Sequence, residues 1–181
     1  MDVRKKGAGL TRRSTTEPTE LGDVYERDYY AWTCIQVHAL REHQVSRLDW
    51  ENLAEEVEDL GKAERHRLEG HLESLLMHLL KWDHQPQRRS RSWNSSIREH
   101  RYRIQRVLRD NPSLQAMLPQ VFADAYEGAR FSAEKETGME LSAFPKSCPW
   151  AIDDALRDDF WPSGPLKVNK PGRAKPPGAN P

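Results

Sequence analysis

From Glu55 to Arg101 the chain gathers the side chains best suited to chemistry. The carboxylates Glu55, Glu58 and Asp59 come first, then the imidazole of His78, then a run of arginines through Arg88, Arg89, Arg91, Arg98 and Arg101. On a helix Glu55 and Asp59 stand one turn apart, so they point the same way and can share a metal ion, a proton or an arginine fork. Glu64, His71 and His78 recur every seven residues, but successive members lie about 10.5 Å apart along a helix, too far for one ion to be held by that trio alone. The Glu-x-x-His spacing by which helical bundles build metal sites is absent from the segment.

Two accounts of these residues follow. In the first they form an ion network: Glu55, Glu58 or Asp59 pairs with Arg91, Arg98 or Arg101 from a following helix, and His78 is packed and hydrogen-bonded. An antiparallel return places Arg98 near residues 68–71 and Arg109 nearer to the acidic block, so the pairing demands either a kink near Gly61 or Gly70 or a bundle order in which the two segments meet from different directions. In the second, the carboxylates and His78 form a metal- or carboxylate-dependent site of hydrolase type. No metal ligand set is complete and no cofactor is expected.

The arginines also raise nucleic acid as a partner. Arg98, Arg103, Arg106 and Arg109 look outward, but they spread over more than about 120° of a helix surface, too wide for a clean phosphate track. A protein partner is the companion reading. Both describe a non-catalytic binding module, whereas the hydrolase is the alternative. A Gly-rich phosphate loop, a nucleophile elbow and a zinc ribbon are all absent from the sequence.

Hydrophobic periodicity supplies the elements that position these residues, and it predicts an all-α bundle of four main helices with a short fifth. The first runs over Asp23–Glu42 and shows Tyr25, Tyr29 and Trp32 to the core. The second covers residues 49–83, with Asp49 as its N-cap and Leu53, Val57, Leu60, Leu68, Leu72, Leu75, Leu79 and Trp82 on its apolar face. Gln85-Pro86 ends it. The third starts near Ser90 or Ser92 and continues to about Arg109, burying Trp93, Ile97, Ile104, Val107 and Leu108, with His100 and Arg101 at the border of that face. A fourth is interrupted by Pro119 and runs from about Gln120 to Thr137, where Gly138 stops it. Pro149 begins the short helix from Trp150 to about Leu156, and Phe160-Trp161-Pro162 fastens the end of the domain.

Composition bounds the rest. The 181 residues balance 28 basic against 28 acidic side chains, yet the signs are segregated: five carboxylates lie between Glu51 and Asp59, and eight arginines face Glu99 between Arg88 and Arg109. Residues 1–20 carry five Lys or Arg and read as a disordered basic arm, and residues 163–181, with five prolines and three glycines, read as a disordered tail. One domain, residues 21–162, remains. Cys34 and Cys148 fit no metal spacing and suit a reducing compartment, the cytoplasm. No apolar run reaches the roughly 20 residues that span a bilayer.

Asp28-Tyr29-Tyr30-Ala31-Trp32, Asn52-Leu53-Ala54-Glu55-Glu56-Val57-Glu58-Asp59-Leu60-Gly61, His78-Leu79-Leu80-Lys81-Trp82, Arg91-Ser92-Trp93, Pro112-Ser113-Leu114, Glu136-Thr137-Gly138, Cys148-Pro149 and Asp159-Phe160-Trp161-Pro162 together resemble the bacterial family catalogued as domain of unknown function number twenty-nine. The likeness covers about Tyr25 to Pro162. It implies an all-helical bacterial domain and carries no activity or catalytic residue with it.

Overall fold

The computed structural model describes residues 18–166, and side chains from Asp23 onward. The fold is all-α: six helices joined by short 3-10 turns, with no strand among the described residues. They are α1 (Pro18–Arg27), α2 (Tyr29–Arg41), α3 (Trp50–His84), α4 (Arg91–Asp110), α5 (Leu118–Thr137) and α6 (Ile152–Leu156). α2 to α5 are the four long ones. Most of the basic arm and of the Pro/Gly tail lies outside the described residues. Where the two do enter, they are structured: α1 already begins at Pro18, and residues 163–166 carry specific contacts given below.

The single first helix expected over Asp23–Glu42 is two. Asp28 leaves the helical region at φ −149° and its side chain accepts from the Ala31 amide at 2.9 Å, an N-cap for α2. Pro119 opens α5 instead of interrupting it, because a first-turn proline lacks only an amide that has no partner there. Gly138 closes α5 at φ +69°, where a side chain would strain the backbone. α6 starts at Ile152, later than expected, since Ala151 is still extended.

The chain divides into two compact units, residues 1–61 and 62–181, and the division falls inside α3. In the first unit Trp32 is buried against Tyr25 and Tyr29, whose ring centroids lie 4.9 and 5.8 Å away. Its indole donates to Asp49 at 3.1 Å. Asp49 also holds the start of α3, accepting from the Asn52 side chain at 2.8 Å, while its own amide donates to the Gln36 side chain. Glu56 takes the hydroxyls of both Tyr25 and Tyr29, each at 2.7 Å. That contact, to the carboxylate between those singled out from sequence, raises the Tyr25 phenol to about 12 and the Tyr29 phenol in the same direction.

The second unit builds the main core. Leu68, Leu72, Leu75, Leu76, Leu79, Leu80 and Trp82 of α3 are fully buried against Ile97 and Ile104 of α4, and against Ala129 and Ala133 of α5. Lys81 is buried among them. It forms an ion pair with Glu136 and lies over the Trp93 ring at 4.6 Å, so α3, α4 and α5 meet on one ammonium group. Gly128 leaves room for Glu73, whose Cδ a Cβ there would meet at 2.9 Å; Glu73 accepts from Ser132.

Tyr29, expected in the core, is 50% exposed, its ring lying on the rim of Trp32 with its hydroxyl on Glu56, and two apolar residues of α3 fail in the same way. Val57 is 66% exposed and Leu60 70%, because an apolar stripe is buried only where another element covers it, and among the described residues the buried stripe of α3 begins at Leu68. Leu53 is half-buried. The contrast is testable by urea unfolding: Leu75→Ala is expected to cost about 2–5 kcal/mol and Leu60→Ala less than about 0.5 kcal/mol.

Candidate nucleic-acid interface

α4 turns two chemically opposite faces outward and inward. Ser90 caps it, its hydroxyl accepting from the Trp93 amide at 3.2 Å. The inner face buries Ile97, Arg101, Ile104, Val107 and Leu108. Arg101, placed by sequence at the border, is fully buried. Its guanidinium donates to the carbonyls of Ala155 at 2.9 Å, Asp158 at 3.3 Å and Phe160 at 2.7 Å, and stands 5.3 Å from the Trp161 ring. Burial lowers its pKa to about 10, so it is charged at neutral pH. The ion-pair role expected of it belongs instead to backbone carbonyls.

The outer face is cationic. At about 100° per residue Arg91, Arg98 and Arg109 fall in one row about 20° wide, with Tyr102 and Gln105 beside it. All five are exposed, Tyr102 by 61%. Arg91 and Arg98 make no ion pair among the described residues, and Arg109 touches Asp110 at 3.2 Å. Arg103 and Arg106 stand off the row and are compensated: Glu99 receives two donors from Arg103, at 2.9 and 2.8 Å, and Asp110 lies 3.6 Å from Arg106. Arg103 holds the Glu99 carboxyl below its usual range. Arg91, Arg98 and Arg109 thus share one side of the helix, from which Arg106 and Arg103 stand off by about 60° and 120°, although Asp110 pairs with Arg109 as well as with Arg106.

Tyr102 stands between two grooves. One, of about 700 Å³, runs along Asn94, Ser95, Arg98, Tyr102 and Gln105 to Asp158 and Trp161; the other, of about 630 Å³, lies between Arg67 and His71 of α3 and Arg103 and Arg106 of α4. Tyr102 was missed from sequence because an aromatic in a basic helix reads as core. Its place beside Arg98 on the polar side was the available signal.

Among the described residues Arg91 and Arg98, named for the pairing with Glu55, Glu58 or Asp59, have no ion-pair partner, and Arg101 is bound to carbonyls. Register gives the reason. His100 packs between His71 and His78, at ring separations of 5.5 and 6.2 Å, and Asn111 donates to Glu64 at 3.0 Å. Arg98 is therefore level with about residue 76, not 68–71, and α4 ends beside Glu64. Nor does α3 break at Gly61 or Gly70. Glu55, Glu58 and Asp59 are exposed on the first unit.

His78 is packed and donates from Nδ1 to the Ser74 carbonyl at 2.8 Å. It belongs to a seam of three imidazoles with His71 and His100, whose buried Nδ1 finds no partner. Among the described residues no three His, Cys, Asp or Glu side chains could hold a metal ion, and no helix is long and apolar enough to cross a membrane.

Burial pushes the pKa of all three histidines down. Arg103 and Arg67 add to the effect at His71, Lys81 at His78, and the other two imidazoles at His100. A histidine whose folded pKa is depressed binds its proton more readily when unfolded, so stability falls as pH drops through about 6.5. Urea midpoints at pH 7.5 and 5.5 are expected to differ, and the difference to shrink in His71→Gln/His100→Gln. Removing the buried cation by Arg101→Met is expected to cost about 2–4 kcal/mol, because several carbonyls lose their donors.

The family model described as Domain of unknown function DUF29 matches residues 24–161. No curated protein and no solved structure matches the chain. The matched span takes in α2 to α6 and every side chain of the α4 face, and with most of the 181 residues inside it the chain belongs to the DUF29 family.

Proposed function

We propose that the chain is a non-catalytic binding module whose exposed α4 face holds a nucleic acid. The observation that carries this reading is the single row of Arg91, Arg98 and Arg109 with Tyr102 beside it. Along the helix the arginines are spaced by about 10.5 and 16.5 Å, a reach of several phosphates, and each contact releases condensed counterions. An exposed phenol next to a guanidinium offers a base a stacking surface, which contributes about 1–3 kcal/mol per base in single-strand binders. Asn94 and Gln105 add amide donors and acceptors on the groove wall. The free thiols of Cys34 and Cys148 support a cytoplasmic location. The hydrolase alternative draws no support from the exposed Glu55, Glu58 and Asp59.

Fluorescence anisotropy with short single-stranded and duplex oligonucleotides tests the reading. Three phosphate contacts predict a slope of about −2 to −3 for log Kobs against log salt. Arg91→Gln/Arg98→Gln/Arg109→Gln should abolish binding with the far-ultraviolet circular dichroism spectrum unchanged. Arg103→Gln/Arg106→Gln, on residues off the row, should weaken it far less. An absence of binding at low salt refutes the proposal.

A further inference from the structure

The larger groove beside the arginine row has a wall of the opposite charge. At about 100° per residue Asn94 and Gln105 lie between the row and Arg101, the residue that grips the carbonyls of Ala155, Asp158 and Phe160. The groove therefore has Arg98 on one side and Asp158 and Trp161 on the other. Asp158 is exposed, and among the described residues its carboxylate makes no hydrogen bond or ion pair, whereas Glu99 is taken up by Arg103. Trp161 is half-buried, held by the Trp82 ring 4.7 Å away and by the Arg101 guanidinium. A carboxylate here repels phosphate, so the groove suits the bases of a nucleic acid while the arginines follow its backbone.

The same walls decide between duplex and single strand. A major groove about 12 Å wide admits a bare helix about 10–12 Å across. α4 is not bare: Asp158 and Trp161 border it on one side, and Arg67 and His71 of α3 on the other. Paired base edges thus stay out of reach, while an unstacked base of a single strand can enter. Among the common bases guanine alone sets two N–H donors side by side on its Watson–Crick edge, N1–H and N2–H, to match the two oxygens of a carboxylate. Its O6 can accept from the amide of Asn94 or Gln105. Thymine and uracil place a carbonyl oxygen on each side of one N–H, and adenine and cytosine set one donor beside a bare acceptor nitrogen. We propose that the groove takes one unstacked guanine of a single strand, with Asp158 accepting from N1–H and N2–H and with Tyr102 and Trp161 as stacking surfaces. The proposal rests on the nucleic-acid reading of the α4 face and adds to it the form of strand and the base held.

The probes are labelled strands of about 16 nucleotides, all thymine except for a central guanine, adenine, cytosine, hypoxanthine or thymine, together with the guanine strand annealed to its complement below the melting temperature. By anisotropy with the full-length protein, the guanine strand is expected to bind at least about tenfold tighter than the all-thymine strand and than its own duplex. Hypoxanthine, which lacks the N2 amino group, should lose most of that preference. Asp158→Asn keeps the backbone carbonyl that Arg101 holds and exchanges one acceptor oxygen for a donor. It should bring the guanine-to-thymine affinity ratio down to about one with the circular dichroism spectrum unchanged. Equal binding of all central bases, a preference for another base, a duplex bound as tightly, or a guanine preference that survives either Asp158→Asn or hypoxanthine overturns the inference. In each of those cases salt-dependent binding remains and the arginine row stands. Binding by none of the strands overturns both.

Discussion

Irregular backbone inside a helical protein needs donors, and here arginines supply them. Residues 157–164 form neither a helix nor a strand, so their carbonyls have no ladder to join. Arg101 fills that need from within the core, and Arg89 does the same from the edge. Arg89 donates to the carbonyls of Trp82, Pro162, Ser163 and Gly164. Trp82 adds its indole to Gly164 at 3.0 Å and packs against Trp161, the rings tilted by 44° with centroids 4.7 Å apart. Arg130 repeats the device, reaching the Leu141 and Phe144 carbonyls, and Tyr126 donates to Pro145. Burying a guanidinium without a carboxylate is costly, and charge-assisted bonds of about 1.5–3 kcal/mol each offset that cost.

This use of arginine separates the two faces of α4. An inward arginine is immobilised by carbonyls and cannot serve a ligand, whereas outward ones keep their donors for solvent or a partner. Arg101 also sets the outer face indirectly. By holding Asp158 and Phe160 it places Asp158 and Trp161 along the groove that Arg98 and Tyr102 border. A core contact therefore shapes a surface groove.

Periodicity was legible wherever a stripe and its cover are both local in character. Leu68 to Trp82 and Ile97 to Leu108 recur as a helix face must, and Gly138 is a stop signal that needs no tertiary context. What failed depended on distant chain. Val57 and Leu60 continue the stripe that Leu68 and Leu75 follow, and nothing in their own sequence says that cover is missing. Arg101 is a charged residue at the rim of an apolar face, and only carbonyls more than 50 residues later explain its burial. Asp28 hides inside a helical pattern because a capping aspartate and a surface aspartate look alike. Glu56 was passed over beside Glu55 since the reach of two tyrosines from two neighbouring helices is a three-dimensional fact. The site reading suffered most, because compensation of Arg103 and Arg106 by Glu99 and Asp110 is a matter of rotamers.

The two stretches of α3 answer to opposite ends of the proton scale. Around Glu56 the first unit holds phenols whose protons it retains more firmly than an unfolded chain would, so what they contribute is present below about pH 10 and is lost as alkali removes those protons. Around His71 and His78 the second unit holds imidazoles that it keeps deprotonated, and acid undoes it. A single helix of 35 residues thus carries an alkali-labile stretch and an acid-labile stretch in series. Neutral pH is where both stretches hold, and a change in either direction loosens one stretch while leaving the groups that stabilise the other in their native protonation state.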